Sequence, residues 1–257
     1  AIAGHPYLSI AAAMAAGIAS GFITAILQTK MGINSLLAGI IVNTGLYSIN
    51  IAVMSGSSIL NMNKTDTVFT KMAALLKDTP VARQSKLFVA IIAVAAVAVI
   101  LGLFLKTRLG LAIRATGDNP DMVRSSSVNP AFTTIIGLCV ANSFTALSGC
   151  LLAQSQRSVN IDIGTGMVTI ALASLLIGGV FLGRKKMPLR IFGMVLGAFI
   201  FRLIYTIALR FDMPAFMLKF VSSVIVIAAI ATPYFKKQLP LLKRRIQTRS
   251  GRRKADA

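Results

Sequence analysis

The residues best suited to chemistry are gathered in one polar interval, residues 106–130, which reads KTRLGLAIRATGDNPDMVRSSSVNP. Outside it the chain contains no Glu, a single His at His5, and no Asp within an apolar segment. General acid–base catalysis and metal binding both need such groups clustered together. We therefore predict no catalytic residue and no metal site, and the interval reads instead as a small charged element.

The elements on either side place this interval at a membrane surface. Residues 87–105 before it carry no charge or amide, and a bilayer core about 30 Å thick needs roughly twenty such residues. Within the interval, Asp118 or Asn119 can cap a helix that has Pro120 at its first position, and Asn129 before Pro130 marks a boundary. We predict a helix of about two turns. An ordinary solvated loop is the alternative.

Composition predicts an all-α polytopic membrane bundle. The chain is 56% hydrophobic and 13% charged, with a mean hydropathy of +0.78, which is too apolar for one soluble domain. Hydropathy predicts seven spans, at residues 8–27, 36–54, 87–105, 131–153, 167–183, 191–209 and 216–234. The net charge of +20 follows from basic residues at span ends and in the tail, so it does not indicate nucleic acid.

Basic residues also predict the orientation. If residues 236–257 form a basic cytoplasmic tail, then eighteen of the twenty-seven basic residues lie inside, including those of the 106–130 interval. Residues 1–235 would then form one transmembrane domain. Because the chain opens on Ala1 without a Met, we expect that one or two helices precede this fragment in the full protein.

Polar residues inside spans are expensive and mark either helix contacts or a solute path. Asn43, Tyr47 and Asn50 are spaced to lie on one face of the second span, and Arg202 lies near the middle of the sixth. Interhelical hydrogen bonding and lining of a solute pathway are both open for these residues. Between the second and third spans, residues 67–76 fit a short amphipathic helix on the outer surface, which would help to receive a binding protein.

The phrase GLAIRATGDNPDMVR resembles the permease subunits of ABC importers, in the group of branched-chain amino acid, ribose and basic-membrane-lipoprotein types. In that family a phrase of the form G-x-x-x-R-A-x-G-[DE]-N-P forms the cytoplasmic coupling helix that docks on the ATPase subunit. The resemblance assigns this docking role to Arg114, Gly117, Asp118, Asn119, Pro120, Asp121 and Arg124. Where the family often has a Gly after this helix, the chain has Ser127.

Further phrases extend the resemblance over nearly the whole chain: ALSGCLLAQ at residues 146–154, then IALASLLIG, GAFIFRLIYTIAL and MPAFMLKF. Among such permeases, those of the tryptophan and tyrosine type are the most similar. Family members often carry a Glu after the Gly of IALASLLIG, where this chain has Gly179, so no role for that carboxylate transfers.

The resemblance implies the transmembrane subunit of an ATP-driven importer, multi-pass in the plasma membrane of a prokaryote, that carries a small solute, with an amino acid favoured. The chain has no GxxxxGK[ST] loop, so we expect it to bind no cofactor itself and ATP to be hydrolysed on a partner subunit. A solute-binding protein outside and a second permease copy or homologue complete the expected partners. The alternatives are a sugar or nucleoside permease, a passive channel and a sodium-coupled carrier.

Overall fold

In the described part of the chain the fold is all-α apart from two short strands. The computed structural model describes residues 5–63, 65–75, 84–164, 167–182 and 187–210, with a few single positions beyond residue 210. The helices are α1 (Pro6–Thr29), α2 (Ser35–Val53), α3 (Val68–Leu75), α4 (Ser85–Phe104), α5 (Arg108–Asp118), α6 (Pro120–Ser125), α7 (Pro130–Gln156), α8 (Met167–Leu182) and α9 (Met187–Arg210). The strands are β1 (Ile59–Asn61) and β2 (Ser158–Asn160).

The predicted membrane bundle is confirmed. Six helical segments among the described residues are long and apolar enough to cross a membrane, and they coincide with the first six predicted spans to within a few residues. The seventh predicted span, residues 216–234, and the tail, residues 236–257, lie almost wholly outside the described residues. The chain divides into two compact units, Ala1–Ile163 and Gly164–Ala257, which are considered one at a time below.

The first unit is built on the close contact of α1 with α7. A Cβ placed on Gly17 would lie 2.5 Å from the Asn142 carbonyl oxygen, and one placed on Gly21 would lie 2.6 Å from the Leu138 carbonyl oxygen. The two backbones therefore touch, as small residues at four-residue spacing permit in a membrane. Gly17 and Gly21 are therefore packing residues.

At one end of this helix pair, β1 and β2 form an antiparallel ladder, and α3 follows β1 in the chain. The fully buried side chain of Gln154, in the last turns of α7, joins the parts. Its Oε1 accepts a hydrogen bond from the Val68 backbone N–H at 3.0 Å, and its Nε2 donates to the Ser9 hydroxyl at 3.0 Å. One amide thus connects α7 to the first residue of α3 and to the first turn of α1. Helix α3 is the short amphipathic helix predicted at residues 67–76, and it lies within those limits.

The second unit is a hairpin of α8 and α9 in equally close contact. A Cβ on Gly197 would meet the backbone of Ser174 and Gly178, and a Cβ on Gly178 would meet the backbone of Gly193. Gly193 and Gly197, four residues apart, therefore form a contact face. In both units, glycine and other small residues bring helix backbones together where lipid offers no hydrophobic drive to association.

We predict that Gly21→Ala lowers the stability of the chain. Its new Cβ has no room against α7, and overpacking of this kind costs about 1–3 kcal/mol. The matched control is Gly45→Ala in α2, where a Cβ meets nothing within 4 Å and helix propensity improves. Thermal unfolding in detergent measures both. An unfolding midpoint for Gly21→Ala equal to that of Gly45→Ala would contradict the contact.

Candidate functional site

The 106–130 interval contains two helices rather than a loop with one short helix. Before the predicted short helix the structure places α5, whose N-terminus is capped by Thr107: the Thr107 Oγ1 accepts a hydrogen bond from the Gly110 N–H at 3.2 Å. Gly110 is buried, and a Cβ there would meet the backbone of Phe104 and Leu105. The chain can therefore turn directly from the end of α4 into α5, which the sequence pattern did not reveal.

The short helix α6 begins as predicted. Of the two candidate caps, Asn119 acts: its Oδ1 accepts hydrogen bonds from the N–H groups of Asp121 and Met122, both at 3.1 Å. Pro120 occupies the first helical position, and Asp118 is the last residue of α5. Asp121 lies in the first turn and Arg124 in the last, which is the arrangement that the helix dipole favours.

A side-chain hydrogen bond and apolar contacts fix α5 and α6 to the beginning of α7. The hydroxyls of Thr116 and Thr133 lie 2.7 Å apart, and Thr133 is fully buried. Ile113 of α5 lies over Gly137 of α7, so that a Cβ there would be 3.2 Å from its Cγ2. Val123 is the buried residue of α6. The two helices are therefore attached to α7 along its first two turns.

On the side away from α7, the tip of this segment is exposed. All the predicted docking residues are exposed except Arg114, which is half-buried: Gly117, Asp118, Asn119, Pro120, Asp121 and Arg124. The structure adds Met122, an apolar side chain that is 54% exposed between Asp121 and Arg124. Met and Arg are both enriched at protein interfaces relative to the rest of the surface. The adjacent positions of Met122, which faces outward, and Val123, which faces inward, are the signal that would have indicated Met122 as a contact residue.

Ser127 closes α6 in a left-handed backbone conformation, with φ of 61°. Two backbone bonds complete the motif: the Val128 N–H donates to the Val123 carbonyl and the Ser127 N–H to the Arg124 carbonyl, both at 3.2 Å. This is a Schellman C-cap, whose left-handed position favours glycine. The resembling family often has Gly at this position. In this chain Ser127 adopts the left-handed conformation instead, at a cost in backbone strain.

A groove of about 590 Å³ lies between this segment and the end of α1. Gln28 and Thr29 line it on the α1 side, Thr116 and Pro120 on the α5–α6 side, and Thr134 on α7. The α5–α6 segment is consequently joined to the bundle through α4 and α7, with open space toward α1. Within the described parts of the chain, no group of three potential metal-ligating side chains occurs.

A family model described as "Branched-chain amino acid transport system / permease component" matches residues 2–230. This chain belongs to that permease family. The match covers every described helix, including the α5–α6 segment that the resemblance identified as the coupling helix.

Curated relatives agree with the family. The permease is 30% identical, over 88% of its length and 73% of the relative's, to the tyrosine transport system permease protein of Clostridioides difficile (strain R20291). It is 30% identical over 65% of its length to an uncharacterized protein of Rickettsia prowazekii (strain Madrid E), of which it spans 56%. It is 24% identical over 87% of its length to the autoinducer 2 import system permease protein LsrC of Yersinia enterocolitica, of which it spans 59%. No solved structure matches the permease.

The permease carries its predicted pathway residues in two places. Asn43, Tyr47 and Asn50 lie along one exposed face of α2, in the first unit, and none of the three side chains hydrogen-bonds to another described residue. Arg202 is exposed on α9, in the second unit, with its Cζ 5.8 Å from the centroid of the Tyr205 ring. That these residues share one pathway stays a prediction.

We predict that Ser127→Gly stabilises the permease. A left-handed residue with a Cβ costs roughly 1–2 kcal/mol, so glycine should raise the midpoint of thermal unfolding in detergent by a few degrees. Ser126→Gly is the control, because Ser126 has a φ of −88° and gains nothing from glycine. Equal effects of the two substitutions would show that the left-handed conformation at Ser127 carries no strain.

Proposed function

We propose that this chain is the membrane-spanning subunit of an ATP-driven importer that moves an amino acid into a prokaryotic cell across the plasma membrane. It works with a second permease copy or homologue, an ATPase subunit at the cytoplasmic side and a solute-binding protein outside. The chain binds no cofactor, and ATP is bound and hydrolysed on the partner. The α5–α6 end and the tail, residues 236–257, face the cytoplasm.

The exposed tip of α6 carries this proposal. A two-turn helix capped by Asn119 and Pro120 presents Asp121, Met122 and Arg124 outward while Val123 fastens it to the bundle. A passive channel or an ion-coupled carrier has no need of a rigid, charged element built in this way. An ATPase that moves on binding and hydrolysing ATP does need one, because force must enter the permease through a stiff contact.

The contacts of α5 and α6 give the force a route into the membrane. Movement of α6 passes through the hydrogen bond of Thr116 with Thr133 to α7, and the backbone contact of α7 with Gly17 and Gly21 carries it to α1. Closely packed helices transmit such displacements because they have few alternative arrangements. The α1–α7 pair would tilt as one body between outward and inward openings.

The solute is best assigned as an amino acid with an aromatic or branched side chain. The family description names branched-chain amino acids, and the relative from Clostridioides difficile is named for tyrosine. A second candidate is a small solute of another class, such as a sugar or nucleoside, which the relative named for autoinducer 2 import favours. Competition of labelled tyrosine uptake by leucine and by ribose distinguishes the two.

The solute pathway in this proposal includes Asn43, Tyr47 and Asn50 of α2 and Arg202 of α9. Amides and a guanidinium within a bilayer need polar interaction partners, and no Asp or Glu lies within any predicted span to provide one. A zwitterionic solute and the water around it would provide such partners. The exposed polar face of α2, without a described hydrogen-bond partner, fits a wet surface better than a helix contact.

We predict that reversing two of the three exposed charges among the docking residues, in Asp118→Lys with Arg124→Glu, uncouples ATP hydrolysis from uptake. Both side chains are exposed, so the fold should survive, whereas a mispaired charged contact costs several kcal/mol and uptake should fall at least tenfold. Uptake and ATPase activity are measured on the reconstituted complex, and membrane content by immunoblot.

Asp162→Lys is the control, a single charge reversal on an exposed residue in the short turn at the β1–β2 end. It should leave coupling unchanged, although contact with the binding protein is allowed to weaken. Full uptake by the double variant, with normal recovery of the ATPase in a pull-down, would contradict the docking role.

We predict that Arg202→Met abolishes uptake while expression and membrane insertion hold, because removing a costly charge from a span rarely harms insertion. Arg202→Lys keeps the charge but loses the bidentate fork, so its apparent affinity for solute should fall more than its stability. Uptake kinetics in vesicles measure both. Uptake by the Met variant with unaltered apparent affinity would make Arg202 structural and place the pathway on other helices.

A further inference from the structure

Three residues of α9 at four-residue intervals form its buried face: Gly193, Gly197 and Phe201. The two glycines bring α9 into backbone contact with α8. Phe201 continues the same face and is only 1% exposed, although it is one of the largest side chains in the unit. Its ring is therefore held in place by the helix contact, and it offers a fixed surface for whatever stacks on it.

Tyr205 stacks on that fixed ring one turn later. The centroids of the Phe201 and Tyr205 rings lie 6.4 Å apart with an interplanar angle of 26°, within the range of favourable aromatic pairs. Tyr205 is half-buried, so one part of its ring contacts Phe201 and the rest is accessible. The Tyr205 ring is thus itself held in one orientation.

Arg202 lies on the accessible side of Tyr205. The two positions are about 60° apart around the helix, and the Arg202 Cζ is 5.8 Å from the Tyr205 ring centroid, a cation–π distance. The guanidinium donates no hydrogen bond to a described carboxylate, and the Arg202 side chain is exposed. These contacts form a row of three residues: the buried Phe201 ring orients the accessible Tyr205 ring, and the Tyr205 ring contacts the Arg202 guanidinium.

This arrangement leaves the guanidinium ready for an anion. A cation held over an aromatic face keeps its N–H groups directed to the side, where the planar fork of arginine matches the two oxygens of a carboxylate. An arginine already fixed by a ring loses less side-chain freedom on binding than a mobile one. No Asp or Glu within the spans competes for it.

We infer that Tyr205, held by Phe201, is the positioning residue that presents the Arg202 guanidinium as a fork for the α-carboxylate of the solute. This inference rests on the proposed function as an amino acid importer. It adds how the importer distinguishes a solute with a carboxylate from one with an uncharged group in its place. The ring supplies orientation, and the guanidinium supplies the charge and the hydrogen bonds.

The test compares acids with their amides. The complete importer is reconstituted in vesicles, and uptake of labelled L-tyrosine and L-leucine is measured with competition by tyrosinamide and leucinamide, which lack the carboxylate charge. We expect the wild type to prefer the acid. Tyr205→Leu removes the ring and should raise the KM for the acid about tenfold, with the maximal rate and the inhibition by the amide nearly unchanged.

Tyr205→Phe keeps the ring and should stay within about twofold of the wild type. Phe199→Leu is the control for losing an aromatic ring on the same helix, since Phe199 is strongly exposed and lies outside the row; it should leave the preference intact. Arg202→Met should abolish uptake of the acid, as proposed above.

The outcomes separate this inference from the proposed function. If wild-type vesicles take up neither acid above background, the proposed amino acid import fails. If they take up an acid and Arg202→Met abolishes that uptake, but Tyr205→Leu leaves the KM for the acid unchanged, the import stands and the positioning role of Tyr205 is wrong. A wild type that takes up both acids without preferring them to the amides overturns the carboxylate site itself.

Discussion

The backbone contact between α1 and α7 is the interaction on which the rest of the first unit depends. Lipid gives apolar helices no reason to associate, so the contact must come from close packing, and Gly17 and Gly21 allow the α1 backbone to reach the carbonyls of Asn142 and Leu138. Each end of this pair then carries a buried polar residue that fastens a surface element. Thr133 holds the α5–α6 segment, and Gln154 holds α3.

In the proposed function one chain serves two surfaces, and this construction fits that role. The α6 tip is stiff because its cap, its C-terminal motif and its buried Val123 are all satisfied locally, and it is connected because α5 is bonded to α7. At the opposite end, Gln154 fixes the position of α3 relative to α1. A displacement at one surface therefore has a packed path to the other, which is what an importer driven from the cytoplasm and supplied from outside requires.

Much of this was predictable from local signals in the sequence. The spans follow from hydropathy, the start of α6 from Asn119 and Pro120, and α3 from an amphipathic period. Helix α5 was missed because hydropathy marks residues 108–118 only as polar, and its Thr107 cap resembles any loop threonine. The hydrogen bonds of Gln154 reach residues 86 and 145 positions away, and no local pattern encodes such contacts. The only sequence signal for the left-handed backbone at Ser127 was that the resembling family often has a glycine at this position.

The most direct test of the account asks whether α5 and α7 move as one body during transport. In a chain with Cys139 and Cys150 replaced, cysteines at Thr116 and Thr133 stand where the native hydroxyls are 2.7 Å apart, close enough for a disulfide once the side chains adjust. Linked peptides after proteolysis confirm that the bond has formed. We expect solute uptake by the oxidised importer to be at least as fast as by the reduced importer, because the disulfide replaces the connection that the two hydroxyls made. Uptake that is lost on oxidation and restored by a reductant would show that α5 must separate from α7, and would contradict the account.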